Sequence, residues 1–290
     1  MAAVAAWAEI IRSLKQTLCG PMGWSDVHAH LTDARLAAQE EDVLARAAAA
    51  GVTTIISNGL NPADNAAVLA LAARAPAVRP AIGLYPVDAV LPEMIAMGVD
   101  YPRELDTPPP TAEESIRWIS DHLDEAFAVG EIGLDRYWVP KELWSRQEEI
   151  FRRLVRLAME ADKAIIIHTR KAEQRAFEIL QEEGAQRVNW HCYSSKVKRG
   201  LRIAAHGHYL SIPANVRKAD NFRALLARLP RDRVLLETDC PYLSPVRETL
   251  NEPANVALTA ELAAEMWGVS IDAVQQQLSE NFTRLFGEAP

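Results

Sequence analysis

The chain has few cysteines: Cys19, Cys192 and Cys240 are odd in number, widely spaced and form no CxxC pair. A disulfide framework is therefore not expected, and a reducing compartment, hence a cytoplasmic location, fits best. No apolar run comes near the roughly 20 residues that span a bilayer, so no membrane association is expected. An excess of positive charge is missing as well. The 31 Lys and Arg residues are outnumbered by 39 Asp and Glu, a formal net charge of −8. That balance argues against a protein that coats duplex DNA by neutralising its phosphates, though not against basic groups gathered around a cleft. Internal repeats, low-complexity tracts and linkers are absent too. What remains is ordinary globular composition, 49% hydrophobic and 24% charged, over 290 residues, enough to bury a sizeable core.

The first 23 residues, through MAAVAAWAEIIRSLKQTLCGPMG, do not read as an export signal. Glu9 interrupts the apolar stretch and no basic residue precedes it. They are expected to be an N-terminal extension. One form would be a short amphipathic helix on the outside of the fold. The other, which is favoured, is a stretch upstream of a start at Met22, because strand-like sequence begins almost at once after it.

From residue 24 onward, strands and helices alternate. Strand-like runs fall at 24–30, 52–57, 78–84, 127–135, 164–169, 187–193, 208–212 and 233–239. Helical patterns fill the gaps at about 38–50, from Pro62, at 113–126, 141–162, 171–183, 196–205 and 218–229, with two more at 254–267 and 270–286. Pro62 suits a first helical position, Gly51 and Gly184 suit helix C-termini, and Ser270 suits an N-cap. Residues 86–112, with Pro108-Pro109-Pro110, read as a long loop with one short helix. Eight β-then-α units with apolar, β-branched strands predict a TIM (β/α)8 barrel, an α/β fold, with an extra C-terminal helix and a single domain over 24–290.

In such a barrel the chemistry sits at the C-terminal ends of the strands, and there the polar residues gather. His28 and His30, two apart on a strand, share a face, with Val27 and Ala29 on the opposite one. Glu131 sits at the end of strand four, His168 ends strand five, His191 ends strand six and Asp239 follows strand eight. Any one of these, taken alone, is more simply a hydrogen-bonded structural residue. Four of seven histidines at the ends of otherwise apolar strands need a shared reason, because buried charge without a partner is costly. Four imidazoles and two carboxylates suit two divalent ions sharing a carboxylate, and mixed N/O ligation leaves the metal open among Zn, Mn, Fe and Mg.

Other residues carry weaker signals. Arg170 is a candidate phosphate contact, with a solvated helix start as the plain alternative. Lys196, Lys198, Arg199 and Arg202 form a basic cluster that would steer a polyanion or simply face solvent. Trp138 offers either a stacking face or rim packing. Cys192 and Cys240 read as packing residues, and Glu237 as support for the site or as a hydrogen-bond acceptor for a nearby loop. Three histidines read as structural: His122 facing solvent within a helix, and His206 and His208 before strand seven at the opposite end of the barrel.

The segments DVHAHL (26–31), GEIGLD (130–135), IIIHTR (165–170), HCYSS (191–195), LLETDCPYL (235–243) and NEPANV (251–256) closely resemble the signatures of TatD-type metal-dependent hydrolases, in the same order. The resemblance runs from about residue 24 to the C-terminus. It implies that His28, His30, Glu131 and Asp239 hold one metal and that Glu131, His168 and His191 hold the second, with Glu131 bridging. Asp239 would also be the general base. It further implies two divalent ions (Mg, Mn or Zn) and 3′-to-5′ trimming of single-stranded DNA, although some relatives hydrolyse D-aminoacyl-tRNA. The chain departs from the family after strand three, where a Gly-x-His-Pro-His arrangement becomes Gly83-Leu84-Tyr85-Pro86-Val87. Tyr85 and Val87 thus replace histidines that would line the substrate pocket, and Tyr85 titrates much higher than histidine. The leading expectation is a two-metal phosphodiesterase acting on single-stranded nucleic acid. An ester or amide hydrolase, such as a D-aminoacyl-tRNA deacylase or small-molecule amidohydrolase, is the alternative, and a non-catalytic metal-binding protein comes third. A monomer is favoured, although the sequence does not determine the oligomeric state.

Overall fold

The computed structural model describes residues 23–102 and 107–287. The expected extension therefore lies outside the described residues, apart from Gly23. Eight parallel strands form one sheet in sequence order: β1 (Trp24–Ala29), β2 (Val52–Asn58), β3 (Val78–Ile82), β4 (Ala128–Asp135), β5 (Ala164–Arg170), β6 (Val188–Trp190), β7 (Tyr209–Ile212) and β8 (Val234–Leu236). Just past β8 the two edges join. The Asp239 amide donates to the His28 carbonyl at 2.9 Å, and the His30 amide donates to the Cys240 carbonyl at 2.8 Å. The sheet thus curls into the expected barrel.

The outer helices are α1 (Glu40–Ala49), α2 (Pro62–Arg74), α3 (Ala112–Asp121), α4 (Trp144–Glu160), α5 (Glu173–Glu183), α6 (Val197–Ala205), α7 (Asp220–Arg228), α8 (Val256–Trp267) and α9 (Ile271–Phe286). Their starts follow local chemistry. Asn61 accepts the Asp64 amide at 3.2 Å ahead of Pro62. Thr111 and Glu114 form a capping box, and Ser270 accepts the Ala273 amide at 3.2 Å. Gly51 (φ +79°) and Gly184 (φ +74°) supply the left-handed residues after α1 and α5.

Several boundaries differ from the sequence expectation. The first helical stretch splits into a short turn, Ala34–Ala37, and α1. The loop after β3 carries a 3-10 turn (Asp88–Val90) and a short helix (Leu91–Ala96). α3 stops at Asp121, where His122 Nδ1 bonds the Trp118 carbonyl at 2.8 Å and its ring stacks on Trp118. His122 is thus a half-buried helix end rather than a solvent-facing residue. β6 and β8 are only three residues long, so His191 and Asp239 stand just beyond their strands.

One apolar cluster draws on seven strands through Val27, Ile56, Ala81, Ala128, Ala164, Ile166, Tyr209 and Leu235, which marks it as the barrel interior. Phe282, Leu285 and Phe286 of α9 belong to it and plug the end away from the strands' C-termini. The larger cluster packs the helices on the strands' outer faces. Val27 was expected to share a face with Ala29. It lies inside while Ala29 lies in the outer shell, because the β1–β2 register slips between Asp26 and Ala29. That irregularity lets Val27 and His28 both turn inward.

Candidate metal centre

The interior is apolar at its base and polar at its mouth. A second register shift, between Val129 and Ile132 of β4, re-aims Glu131 into the barrel. The backbone there is closely crowded: a Cβ on Gly83 would fall 2.5 Å from the Gly130 carbonyl carbon and 2.6 Å from the Glu131 amide nitrogen. Only glycine lets β3 approach that peptide so closely.

Glu131, almost fully buried, divides its two oxygens. Oε2 lies 3.5 Å from Nε2 of both His28 and His30. Oε1 lies 2.8 Å from His168 Nδ1 and 3.1 Å from His191 Nε2. Asp239 Oδ1 completes the first group, 3.7 Å from His28 Nε2 and 3.5 Å from His30 Nε2. The two imidazole nitrogens of that group are 3.2 Å apart. All six sequence candidates therefore meet in one place, in two sets that share a single carboxylate. The donor set is nitrogen and oxygen. His28, His30 and Glu131 converge within metal-ligand reach, as do Glu131, His168 and His191. Asp239 joins the first group through the two histidines, and the residues fit two divalent ions.

Two of the ligand candidates, His30 and His168, are aimed by partners outside the cluster. His30 Nδ1 bonds the Asn58 carbonyl at 3.1 Å. His168 Nε2 faces Asp135 Oδ2 at 3.3 Å, while Asp135 Oδ1 accepts the Tyr137 and Trp138 amides at 2.8 and 2.9 Å. Such outer partners fix the tautomer and ring orientation of metal-binding histidines. Glu237 accepts the Cys192 amide of the loop after β6 at 2.8 Å and the Ser211 hydroxyl at 2.5 Å, and its Oε1 lies 3.7 Å from His191 Nδ1. Asp239 (φ +56°) and Cys192 (φ +44°) both hold left-handed backbone beside the cluster, the kind of strain that collects at functional sites.

The charges are interlocked. Burial alone would raise the carboxyl pKa of Glu131, yet His191, His168 and His28 hold it well below the ordinary range. Burial works the same way on Asp239 and is outweighed by the His30 contact and the neighbouring imidazoles, which hold it low. Burial and the stacked ring of His191, 3.7 Å away, push His28 down. His191 is driven well up, Glu131 overcoming its burial.

Asp135 is a residue the sequence reading passed over. It shares the strand face of Glu131 at period two, which was the available signal. Gln147 of α4 was invisible. It joins the site to the loop after β3 by accepting the Asp135 amide at 3.2 Å and donating to the Pro86 carbonyl at 2.8 Å. Tyr85 stands with its ring 5.0 Å from that of His168. Burial, with Glu131 and Asp135 adding to it, raises its phenol pKa, so the hydroxyl stays protonated. Val87 is fully buried in the outer core and does not line the open mouth. Arg170 is exposed, its guanidinium 3.9 Å over the Tyr137 ring. In the basic cluster, Arg199 is tied to Ser195 and Gln174 at 2.8 and 3.2 Å and faces Glu173 at 3.8 Å, which offsets part of the charge the sequence suggested. A cleft of about 210 Å³ beside His30 is lined by Asn61, Asp64 and Tyr242. A larger one of about 480 Å³, against Phe286 at the opposite end, touches none of the site residues.

A sequence model of the family described as "TatD related DNase" matches residues 25–287. The chain belongs to the TatD family. Among relatives of this TatD protein, the metal-dependent hydrolase YabD of Bacillus subtilis is 32% identical over 90% of this chain and 98% of its own length. Human deoxyribonuclease TATDN3 is 27% identical over 91% of this chain and 95% of its own. YjjV, a TatD homologue from Escherichia coli with a solved structure, superposes with a TM-score of 0.77 at 26% identity, covering 91% of this chain and 98% of that one. The TatD chain described here is a metal-dependent hydrolase on a TIM barrel. Among its described residues no helix is long and apolar enough to cross a membrane.

Proposed function

We propose that residues 24–290 act as one hydrolase domain whose mouth holds two divalent ions, Mg, Mn or Zn, and cleaves phosphodiester bonds of single-stranded nucleic acid from the 3′ end. One observation carries this reading: the two oxygens of Glu131 face two separate histidine pairs, the arrangement a bridging carboxylate needs. His28, His30, Glu131 and Asp239 would hold one ion, and Glu131, His168 and His191 the other. When bound, such ions lower the pKa of a water and offset charge developing on a phosphoryl oxygen.

The remaining work falls to the chain. Asp239, kept anionic by His30 and its neighbours, orients the attacking water and accepts its proton at a carboxylate oxygen. Tyr85, kept protonated, donates a hydrogen bond to a substrate oxygen at the His168 side. Arg170 lies at the rim, where a phosphate enters. The name of human TATDN3 supports a DNA substrate.

Tyr85 also favours a second reading. A neutral phenol donor serves a carbonyl oxygen as well as a phosphoryl one, so ester or amide hydrolysis, including D-aminoacyl-tRNA deacylation, uses the same centre. End-labelled single-stranded DNA, RNA and D-aminoacyl-tRNA, incubated with Mg, Mn or Zn, separate the two. Shortening of DNA from its 3′ end, abolished by EDTA and by Asp239→Asn, is the expected result. Release of amino acid from intact nucleic acid would replace the first reading with the second.

A further inference from the structure

Among the described residues, two aromatic side chains are more than one-third exposed: Tyr137 at 47% and Tyr242 at 50%. Both lie at the barrel mouth, and each carries an arginine on its ring. Arg170 sits 3.9 Å from the Tyr137 centroid and Arg35 sits 4.6 Å from that of Tyr242. Tyr137 follows β4 and Arg170 ends β5, whereas Tyr242 follows β8 and Arg35 follows β1. In an eight-stranded barrel built in sequence order, β4–β5 stands opposite β8–β1. The two Tyr–Arg pairs therefore face each other across the mouth, with the cluster around Glu131 between them.

Each pair is tied to the centre by the tyrosine's own backbone. The Tyr137 amide donates to Asp135 Oδ1 at 2.8 Å, and Asp135 in turn holds His168. The Tyr242 amide donates to the Asp239 carbonyl at 2.9 Å, and its ring packs edge-on to His30 at 6.3 Å. Exposed aromatic rings gain nothing from standing in water, and positions fixed this closely to a reaction centre suit substrate contact. Trp138, which the sequence suggested as the stacking residue, is half-buried and braces Tyr137 edge-on at 4.9 Å.

We propose that Tyr137 with Arg170 and Tyr242 with Arg35 are two base-stacking ledges, and that a single strand lies across the mouth with a base on each and its phosphate between them over Glu131. Bases stack on aromatic rings without regard to sequence, and a planar guanidinium extends the stacking surface. The ledges differ in their charge. Arg35 is held by both oxygens of Asp33, at 2.8 and 2.7 Å. Neither Arg170 nor Lys171, which sits 4.6 Å over the same Tyr137 ring, has a side-chain carboxylate partner among the described residues, so the Tyr137 ledge is the one free to meet a phosphate. This inference rests on the nucleic-acid reading above and specifies how that substrate is gripped.

The test is equilibrium binding rather than turnover. The probes are a fluorescent, hydrolysis-resistant phosphorothioate oligothymidylate and an abasic strand of the same length and backbone, with the Mn-loaded protein. Tyr137→Ala and Tyr242→Ala should each weaken binding of the base-bearing strand roughly ten-fold and leave the abasic strand unchanged, while Tyr137→Phe and Tyr242→Phe retain binding. Arg170→Ala should weaken both strands, the base-bearing one the more, because the guanidinium serves both the phosphate and the ledge. Unchanged melting temperature and metal content would show that the variants are intact. If the wild-type protein binds both strands equally, or binds neither, the ledges are refuted. If it prefers the base-bearing strand through both tyrosines yet hydrolyses no nucleic acid, the ledges stand and the phosphodiesterase reading falls.

Discussion

Both ends of the barrel bury histidine, to opposite effect. At the mouth, His168 and His191 converge on Glu131 from different strands, and carboxylates overcome burial to drive both pKa values up. At the other end, His208 is fully buried but meets no carboxylate among the described residues. Its Nδ1 accepts the Trp190 indole N–H at 3.1 Å and its Nε2 donates to the Ala185 carbonyl at 2.9 Å. Burial, with His206 nearby, pushes it down to about 4. The same residue type is a metal-ligand candidate in one place and a neutral hydrogen-bond bridge in the other. Residue type does not separate them, whereas strand position does, since His168 and His191 lie at C-terminal strand ends and His208 precedes β7. What sets their charge is whether acidic groups from other strands arrive at the same point.

Breaking the mouth should have the largest effect. Asp239→Asn keeps the shape of the side chain but cannot accept a proton, so hydrolysis should fall on the order of 10²–10⁴-fold. Single-turnover rates on the preferred substrate check this, and a loss under ten-fold would remove Asp239 from its proposed role.

Breaking the other end should cost stability rather than chemistry, and its pH dependence has a definite sign. The folded protein holds His208 neutral down to about pH 4, whereas the unfolded chain takes up a proton near 6.5. Between those values the unfolded state binds more protons, so stability is complete above pH 6.5 and is lost as pH falls toward 4. The loss amounts to about 3 kcal/mol. His208→Gln, which still accepts from Trp190 but does not titrate, should flatten the acid limb of a urea-unfolding series relative to wild type. Parallel limbs in the two proteins would contradict this account of His208.

A finer test lies one layer outside the mouth. Asp135→Asn keeps the backbone contacts of Tyr137 and Trp138 but weakens the hold on His168, and should cost about 10- to 100-fold in metal affinity. Metal titration of the variant against wild type measures it. An unchanged affinity would make Asp135 a loop anchor only.

The sequence made the barrel and all six members of the mouth cluster legible for a simple reason. Each sits at or just past an apolar strand, where a polar residue stands out. The register shifts at Asp26–Ala29 and Val129–Ile132 were not legible, because a slip against a neighbouring strand leaves no mark on either strand's own pattern. They decide that Val27 turns inward and that Glu131 reaches both histidine pairs. Gln147 was hidden because its partners, Asp135 and Pro86, belong to other elements and a buried glutamine on an amphipathic helix has no local signature. Tyr137 was passed over in favour of Trp138, since exposure is set by the packing of the half-buried Tyr101 and Trp138 rings behind it.

The bridging role of Glu131 is the centre of the account, and metal stoichiometry tests it most directly. After loading with Mn and removal of free metal, elemental analysis should find two ions per wild-type chain and a loss of both in Glu131→Gln, in protein that remains folded. One ion per wild-type chain, or two retained in Glu131→Gln, would contradict a centre bridged by that carboxylate.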